Sequence, residues 1–159
     1  MLSETIDLAE ELRARGMTLS CAESCTGGLI GGEITSLPGA SSFFLGSAVT
    51  YSNDAKMKLL GVSRETLEAH GAVSAETALE MASGATRLFG SDAAIAVTGI
   101  AGPGGAVPGK PVGLVYIAVA DGPRVVASRN RFEGDRETVR SRTVSAALVM
   151  MKDMLDGRL

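Results

Sequence analysis

The chain has 159 residues, 45% apolar and 21% charged, with a formal net charge of −3. That length fits one domain, 1–159, which can bury ~68–70% of the surface its unfolded form exposes, so no metal or disulfide staple is required. An acidic balance with two Tyr, four Phe and no Trp lacks the basic groove and stacking rings of a nucleic-acid platform, and no run of about 18 apolar residues is there to span a membrane.

Ile6, Leu8, Ala9 and Leu12 form a helical stripe, predicting a first helix over Glu4–Arg15, with Ser3 as cap and Gly16 as stop. Met17–Ala22 reads as a short strand, and Glu23–Gly28 as a turn opening a helix to about Ser36. A strand over Phe43–Tyr51 follows. Ser52-Asn53-Asp54 supplies cap chemistry for a helix over Ala55–Leu60, stopped by Gly61. Ser63 starts a short helix ending at His70-Gly71. Ser74 caps a longer one, closed by Gly90. Ala93–Thr98 is an apolar run bounded by turn signals, as expected of a buried strand. Val112–Ala120 and Arg124–Phe132 predict a hairpin. Asp135 caps a last helix whose expected buried face is Val139, Ala146, Met150 and Met154, with Ala147 and Met151 alongside. Interleaved helices and strands, then a hairpin and a helix, predict an α/β fold with a mixed sheet and helices on both faces. Twenty glycines, nearly twice the average share of about 7%, match a small fold with several glycine loops.

The two cysteines, Cys21 and Cys25, are too few for a secreted disulfide framework, and with one histidine they make no structural zinc site. The N-terminus carries acids where a signal peptide carries base. A cytoplasmic location is expected.

Four segments carry candidate chemistry. In Ala22-Glu23-Ser24-Cys25-Thr26-Gly27-Gly28, a strand, a polar glycine turn and a helix bring backbone N–H groups to one spot, where they stabilise an anion or the oxyanion of acyl transfer. The turn's hydroxyls and thiol are candidate nucleophiles. A plain capping turn with Ser24 or Thr26 as N-cap, or a Cys25–His70 pair, are the alternatives. In Tyr51-Ser52-Asn53-Asp54-Ala55-Lys56, Lys56 is one of four lysines against eleven arginines. A desolvated lysine can act as a base near neutral pH, which arginine cannot; the alternative is a solvated surface lysine. Thr98-Gly99-Ile100-Ala101-Gly102-Pro103 follows a buried strand, where α/β folds bind ligands, unless it is a simple crossover loop. In Gly134–Arg140, Arg136 and Arg140 share a helix face and could grip a phosphate, or pair with Glu133 and Glu137. Gly104–Lys110 has the spacing of a P-loop, but Pro111 follows where a Ser or Thr is needed, and Pro108 removes a donor.

AESCTGG, YSNDAK, GAVS, TGIAGP, KPVG and GDRETVR, in that order, resemble the C-terminal domain of the competence/damage-inducible CinA family, from about Thr5 to Leu155. That domain also stands alone in nicotinamide mononucleotide amidohydrolases of the PncC type. The N-terminal molybdopterin-binding-like domain of full CinA has no counterpart in this sequence. The resemblance implies a three-layer α/β/α sandwich. It also implies hydrolysis of the carboxamide of nicotinamide mononucleotide to nicotinic acid mononucleotide and ammonia, in NAD recycling, by a Ser/Lys pair and without metal or cofactor. By motif position Ser24 is the nucleophile and Lys56 the base, with Tyr51 expected to orient Lys56 or relay a proton. Backbone N–H groups from Cys25 to Gly28 are the expected oxyanion hole. Thr26, Thr98, Gly99 and Gly102 are expected to line the substrate pocket, and Arg140 and Arg136 to bind the phosphate. Thr98 stands where many relatives carry Ser, which keeps the hydroxyl. The expected partner is a small nucleotide, with neither nucleic acid nor membrane, and self-association into a homo-oligomer is expected. A non-catalytic nucleotide-binding domain is the alternative.

Overall fold

A computed structural model describes residues 1–159. Its elements run α1 (Ser3–Arg15), β1 (Leu19–Glu23), α2 (Leu29–Thr35), a 3-10 turn (Ala40–Ser42), β2 (Phe44–Val49), α3 (Asn53–Leu60), α4 (Arg64–His70), α5 (Ala75–Phe89), β3 (Ala93–Gly99), β4 (Leu114–Asp121), β5 (Arg124–Arg131) and α6 (Arg136–Leu155). The strands form one mixed sheet in the order β2-β1-β3-β4-β5. Strands β2, β1 and β3 are parallel neighbours, and β4 and β5 complete the sheet antiparallel. Helices cover both faces, giving three α/β/α layers.

Local chemistry sets most helix ends. Ser52, Ser63, Ser74 and Asp135 accept from the N–H groups of Ala55, Thr66, Thr77 and Thr138, capping α3, α4, α5 and α6. Gly16, Gly61 and Gly90 end their helices in the left-handed conformation. Helix α1 departs from expectation. Ser3 lies inside it, Leu2 is the N-cap residue without a side-chain bond, and the tether is Glu33, which accepts from Leu2 N–H and Thr5 Oγ1. Thr5 is therefore buried, and Ile6 is turned outward. In α6 the buried stripe is Val139, Thr143, Val144, Ala147, Leu148, Met151, Met154 and Leu155, while Ala146 and Met150 sit only at its margin. The helix packs on both α1 and the sheet, so its apolar face is wider and rotated from the narrow stripe expected.

The two sheet faces are built from different residues. Ile95, Val97, Val115, Ile117 and Val119 face α1, α2 and α6. Ala22, Ala48, Ala94, Ala96, Ala118 and Ala120 face the other way, against α5 and the end of α3. On this alanine face α3 and α5 touch backbone to backbone: a Cβ added at Gly84 would lie 2.1 Å from the Leu60 carbonyl oxygen.

The three parallel strands run the same way, so their C-terminal ends meet. Glu23 at the end of β1 is in register with Val49 of β2 and Val97 of β3. Ser24, Thr50 and the Gly99–Gly102 loop leave the sheet side by side there, where α/β sheets place ligands. The P-loop-like stretch does nothing comparable. Val107 and Lys110 pair as an isolated bridge, and a strand follows, not a helix.

Candidate active site

Ser24 is the first residue beyond β1. Its N–H donates to the Val97 carbonyl at 3.1 Å, which ties the turn to β3. Lys56 is on the first turn of α3, the helix that Ser52 caps. The path Thr50–Ser52 and the close seat of α3 carry its side chain back over the strand ends. Lys56 is 1% exposed, and its Nζ lies 3.0 Å from Ser24 Oγ and 2.6 Å from the Thr50 carbonyl oxygen. An ammonium has three N–H donors, and only these two acceptors meet it. Burial pulls the Lys56 pKa down from 10.5 to about 8. In the neutral amine one N–H serves Thr50 and the lone pair faces Ser24. The sequence reading missed Thr50, since a backbone carbonyl leaves no composition signal. Its own hydroxyl is the one buried side-chain polar atom with no hydrogen-bond partner.

A cavity of about 430 Å³ opens above this pair, within the range of small-molecule sites. Ser24, Cys25, Tyr51, Lys56, Thr98, Gly99, Gly102 and Arg136 all line it, with Ala72, Val73, Ile100 and Ala101 as apolar wall. Thr98 is buried, and its Oγ1 donates to the Ala72 carbonyl at 2.8 Å, fixing the α4–α5 corner against β3. Arg136 donates to the Gly102 carbonyl at 2.9 Å and to Tyr51 Oη at 3.2 Å, joining three segments at the mouth. Tyr51 is 65% exposed, so it stands at the rim; Lys56 is oriented by Thr50 and Ser24 instead.

Four expected pocket residues do not line the cavity. Thr26 is fully buried, and its hydroxyl donates to Glu23 at 2.7 Å. The Gly27 N–H goes to the Ser24 carbonyl at 3.1 Å, and the Gly28 N–H to Glu23 Oε2 at 3.0 Å. Neither glycine N–H is free for an oxyanion. The N–H groups of Cys25 and Thr26 have no protein partner, and of the two residues only Cys25 lines the cavity, which narrows the expected hole to its N–H. Arg140 turns its guanidinium to the Cys25 carbonyl at 3.1 Å and the Thr26 carbonyl at 2.9 Å, away from the cavity.

Glu23 is the turn's organiser, and the sequence reading passed over it. Its buried carboxylate accepts from Thr26 Oγ1, the N–H groups of Gly28, Ile30 and Gly31, and Ser47 Oγ, all between 2.7 and 3.0 Å. It thus satisfies the first amides of α2, whose N-cap residue Gly28 has no side chain to do so. Neither Ser24 nor Thr26 is the cap. The signal was a carboxylate at the last position of an apolar strand, where burial demands several donors.

The Cys25–His70 alternative fails on placement and charge. His70, the one histidine, is half-exposed beside Glu76 and lines no part of the cavity. Burial pushes the Cys25 thiol up to about 11, so it is not a thiolate near neutral pH. No group of three or more His, Cys, Asp or Glu side chains is placed to hold a metal ion. No helix is long and apolar enough to cross a membrane.

The fold is thus an α/β protein with a buried serine–lysine pair at the C-terminal ends of the three parallel strands of a mixed sheet. The chain belongs to the family of the CinA C-terminal domain, whose model matches residues 3–155. A CinA-like protein of Geobacter metallireducens is 54% identical over 154 residues, covering 96% of this chain and 37% of the relative. One from Chloroherpeton thalassium is 50% identical, with 94% and 37% covered. The chain thus spans little more than a third of these curated relatives. Among solved structures, a CinA superfamily protein of Klebsiella pneumoniae superposes with a TM-score of 0.94 at 38% identity, covering 97% of this chain and 96% of that one. A competence/damage-inducible protein of Agrobacterium tumefaciens gives 0.89 at 43% identity, with 98% of both chains covered.

Proposed function

We propose that this chain is a serine amidohydrolase that converts nicotinamide mononucleotide and water into nicotinic acid mononucleotide and ammonia, a cytoplasmic step of pyridine-nucleotide recycling. The observation that carries the reading is the 3.0 Å contact between Ser24 Oγ and a lysine buried enough to be neutral in part near pH 7. In this reading the nicotinamide ring occupies the cavity, whose apolar wall includes Val73 and Ile100, and presents its carboxamide carbon to Ser24. Ser24 Oγ attacks that carbon as its proton passes to neutral Lys56. The oxyanion is met by the Cys25 N–H; loss of such a donor typically slows acyl transfer about 10²–10³-fold. Lys56 then gives its proton to the departing ammonia, and an acyl ester on Ser24 remains. Water attacks the ester with Lys56 again as base, which frees the carboxylate and restores the serine. Arg136, which lines the cavity, is the cation this reading offers to the nucleotide's phosphate.

The base must be neutral in the free enzyme, so kcat/KM rises with pH through about 8 and levels above it. The decisive experiment is ammonia release from nicotinamide mononucleotide by the wild type, Ser24→Ala and Lys56→Met. Release by the wild type, reduced more than about 10³-fold in both variants, is expected. A folded wild type that binds the nucleotide and releases nothing overturns the reading in favour of a binding domain.

A further inference from the structure

Arg140 carries the most specific contacts near the site that the proposed chemistry does not use. A planar peptide points its C=O and the next residue's N–H in opposite directions. Holding the Cys25 carbonyl therefore aims the Thr26 N–H away from the guanidinium. Holding the Thr26 carbonyl does the same to the Gly27 N–H, which lands on the Ser24 carbonyl and so fixes the plane that carries the Cys25 N–H. The fork thus governs both unpartnered N–H groups, one directly and one through Gly27. Room for it depends on the glycine: a Cβ at Gly27 would come 3.3 Å from Arg140 Nη2, in a backbone conformation with φ +58°. Glu23 holds the same turn from its other side through N–H and hydroxyl donors. An acceptor group and a donor group of opposite charge thus grip the turn's opposite polarities.

We infer that Arg140 is a positioning residue: through the Gly27 N–H and the Ser24 carbonyl it aligns the Cys25 N–H as the oxyanion donor beside Ser24, and it does not bind the substrate's phosphate. This inference rests on the serine amidohydrolase reading. A lysine keeps the charge but cannot donate in the two fixed directions of the fork.

The test uses the full chain as wild type, Arg140→Lys and Arg140→Met, each checked for an intact thermal transition. Nicotinamide mononucleotide and the same nucleoside without its phosphate are compared as substrates. The expected result is a kcat drop of about 10²-fold in Arg140→Met, equal for the two substrates, with KM changed less than about threefold and Arg140→Lys restoring little. A KM rise confined to the phosphorylated substrate, with kcat kept, would overturn the inference and make Arg140 the phosphate ligand.

A fluorophosphonate supplies a readout independent of the natural substrate. Ser24 Oγ forms a bond to phosphorus, fluoride leaves, the serine proton goes to Lys56, and the P–O oxygen sits in the hole. The labelling rate at Ser24, read by mass spectrometry, should fall about as far as kcat in both variants. A wild type that labels at Ser24 in an Arg140-dependent way yet releases no ammonia overturns the substrate and keeps the positioning role. Labelling that is unaffected in Arg140→Met, or absent from the wild type, overturns the positioning role itself.

Discussion

The two faces of the sheet do different work, and their residues say why. Toward α1, α2 and α6 the strands present Ile95, Val97, Val115, Ile117 and Val119, a thick apolar layer that supplies most of the burial. Toward α5 they present Ala22, Ala48, Ala94, Ala96, Ala118 and Ala120. Alanine buries little area, about one methyl each, so this face adds less stability per residue. What it supplies is distance. Alanines let α5 lie low on the sheet, and Gly84 lets α3 lie against α5, so Lys56 reaches over the strand ends to Ser24. The thick face holds the fold together; the thin face sets the spacing of Lys56 and Ser24.

The largest effect should come from thickening the thin face. Gly84→Ala would put a methyl 2.1 Å from the Leu60 carbonyl, and a backbone atom cannot swing away as a side-chain tip can. A cost of about 3 kcal/mol, at the upper end for overpacking, is expected, with about 1 kcal/mol returned by alanine's helix propensity. The displaced α3 should also carry Lys56 off Ser24, so ammonia release should fall at least about tenfold at temperatures where the variant is folded. A destabilised variant with undiminished kcat would break the link between the α3–α5 approach and the dyad.

Next in size is a substitution that should stabilise. Lys56→Met keeps the length and removes a buried charge with only two hydrogen-bond acceptors. Below about pH 8 the lysine is protonated in folded and unfolded chains alike, and the folded chain bears the whole desolvation cost. Between about 8 and 10.5 the folded lysine is neutral while the unfolded one keeps its proton, so wild-type stability rises with pH. The variant should therefore be about 1–3 kcal/mol more stable than wild type at pH 7, with its advantage shrinking toward pH 10.5. Urea unfolding at several pH values measures this. An advantage that does not vary with pH would show that Lys56 is not held as a depressed base.

How far the sequence carried this picture follows the range of each interaction. The helix caps at Ser52, Ser63, Ser74 and Asp135 were legible because a cap acts across three residues. The candidates Ser24, Lys56, Tyr51, Thr98, Gly99, Gly102 and Arg136 share one cavity, since each follows a strand end or opens a helix that the pattern located. What stayed hidden was direction. Arg136 and Arg140 stand one turn apart on α6, yet one lines the cavity and the other grips carbonyls behind it. Helical spacing puts two residues on a face and leaves open what each meets across 100 residues of chain. Glu23 escaped notice similarly, because its donors come from a turn, a helix and a neighbouring strand. The 3-10 turn at Ala40–Ser42 is too short to leave a periodic signal.

The smallest effect belongs to the thick face and serves as the control for the first. Ile95→Val removes one methylene from a side chain with no exposed surface, flanked on its own face by Val97, Ile117 and Val119. The loss should be about 0.5–1.5 kcal/mol, a transfer loss plus a small cavity. Ile95 precedes the loop at the cavity by several residues and points away from α3 and α5, so the vacated space adjoins α1 and α6. The midpoint of denaturation should therefore drop with kcat, KM and the rising pH limb near 8 left as in the wild type. A shifted limb after so small a deletion would mean that Lys56 senses packing through the sheet, and that the division between a face for stability and a face for spacing is too sharp.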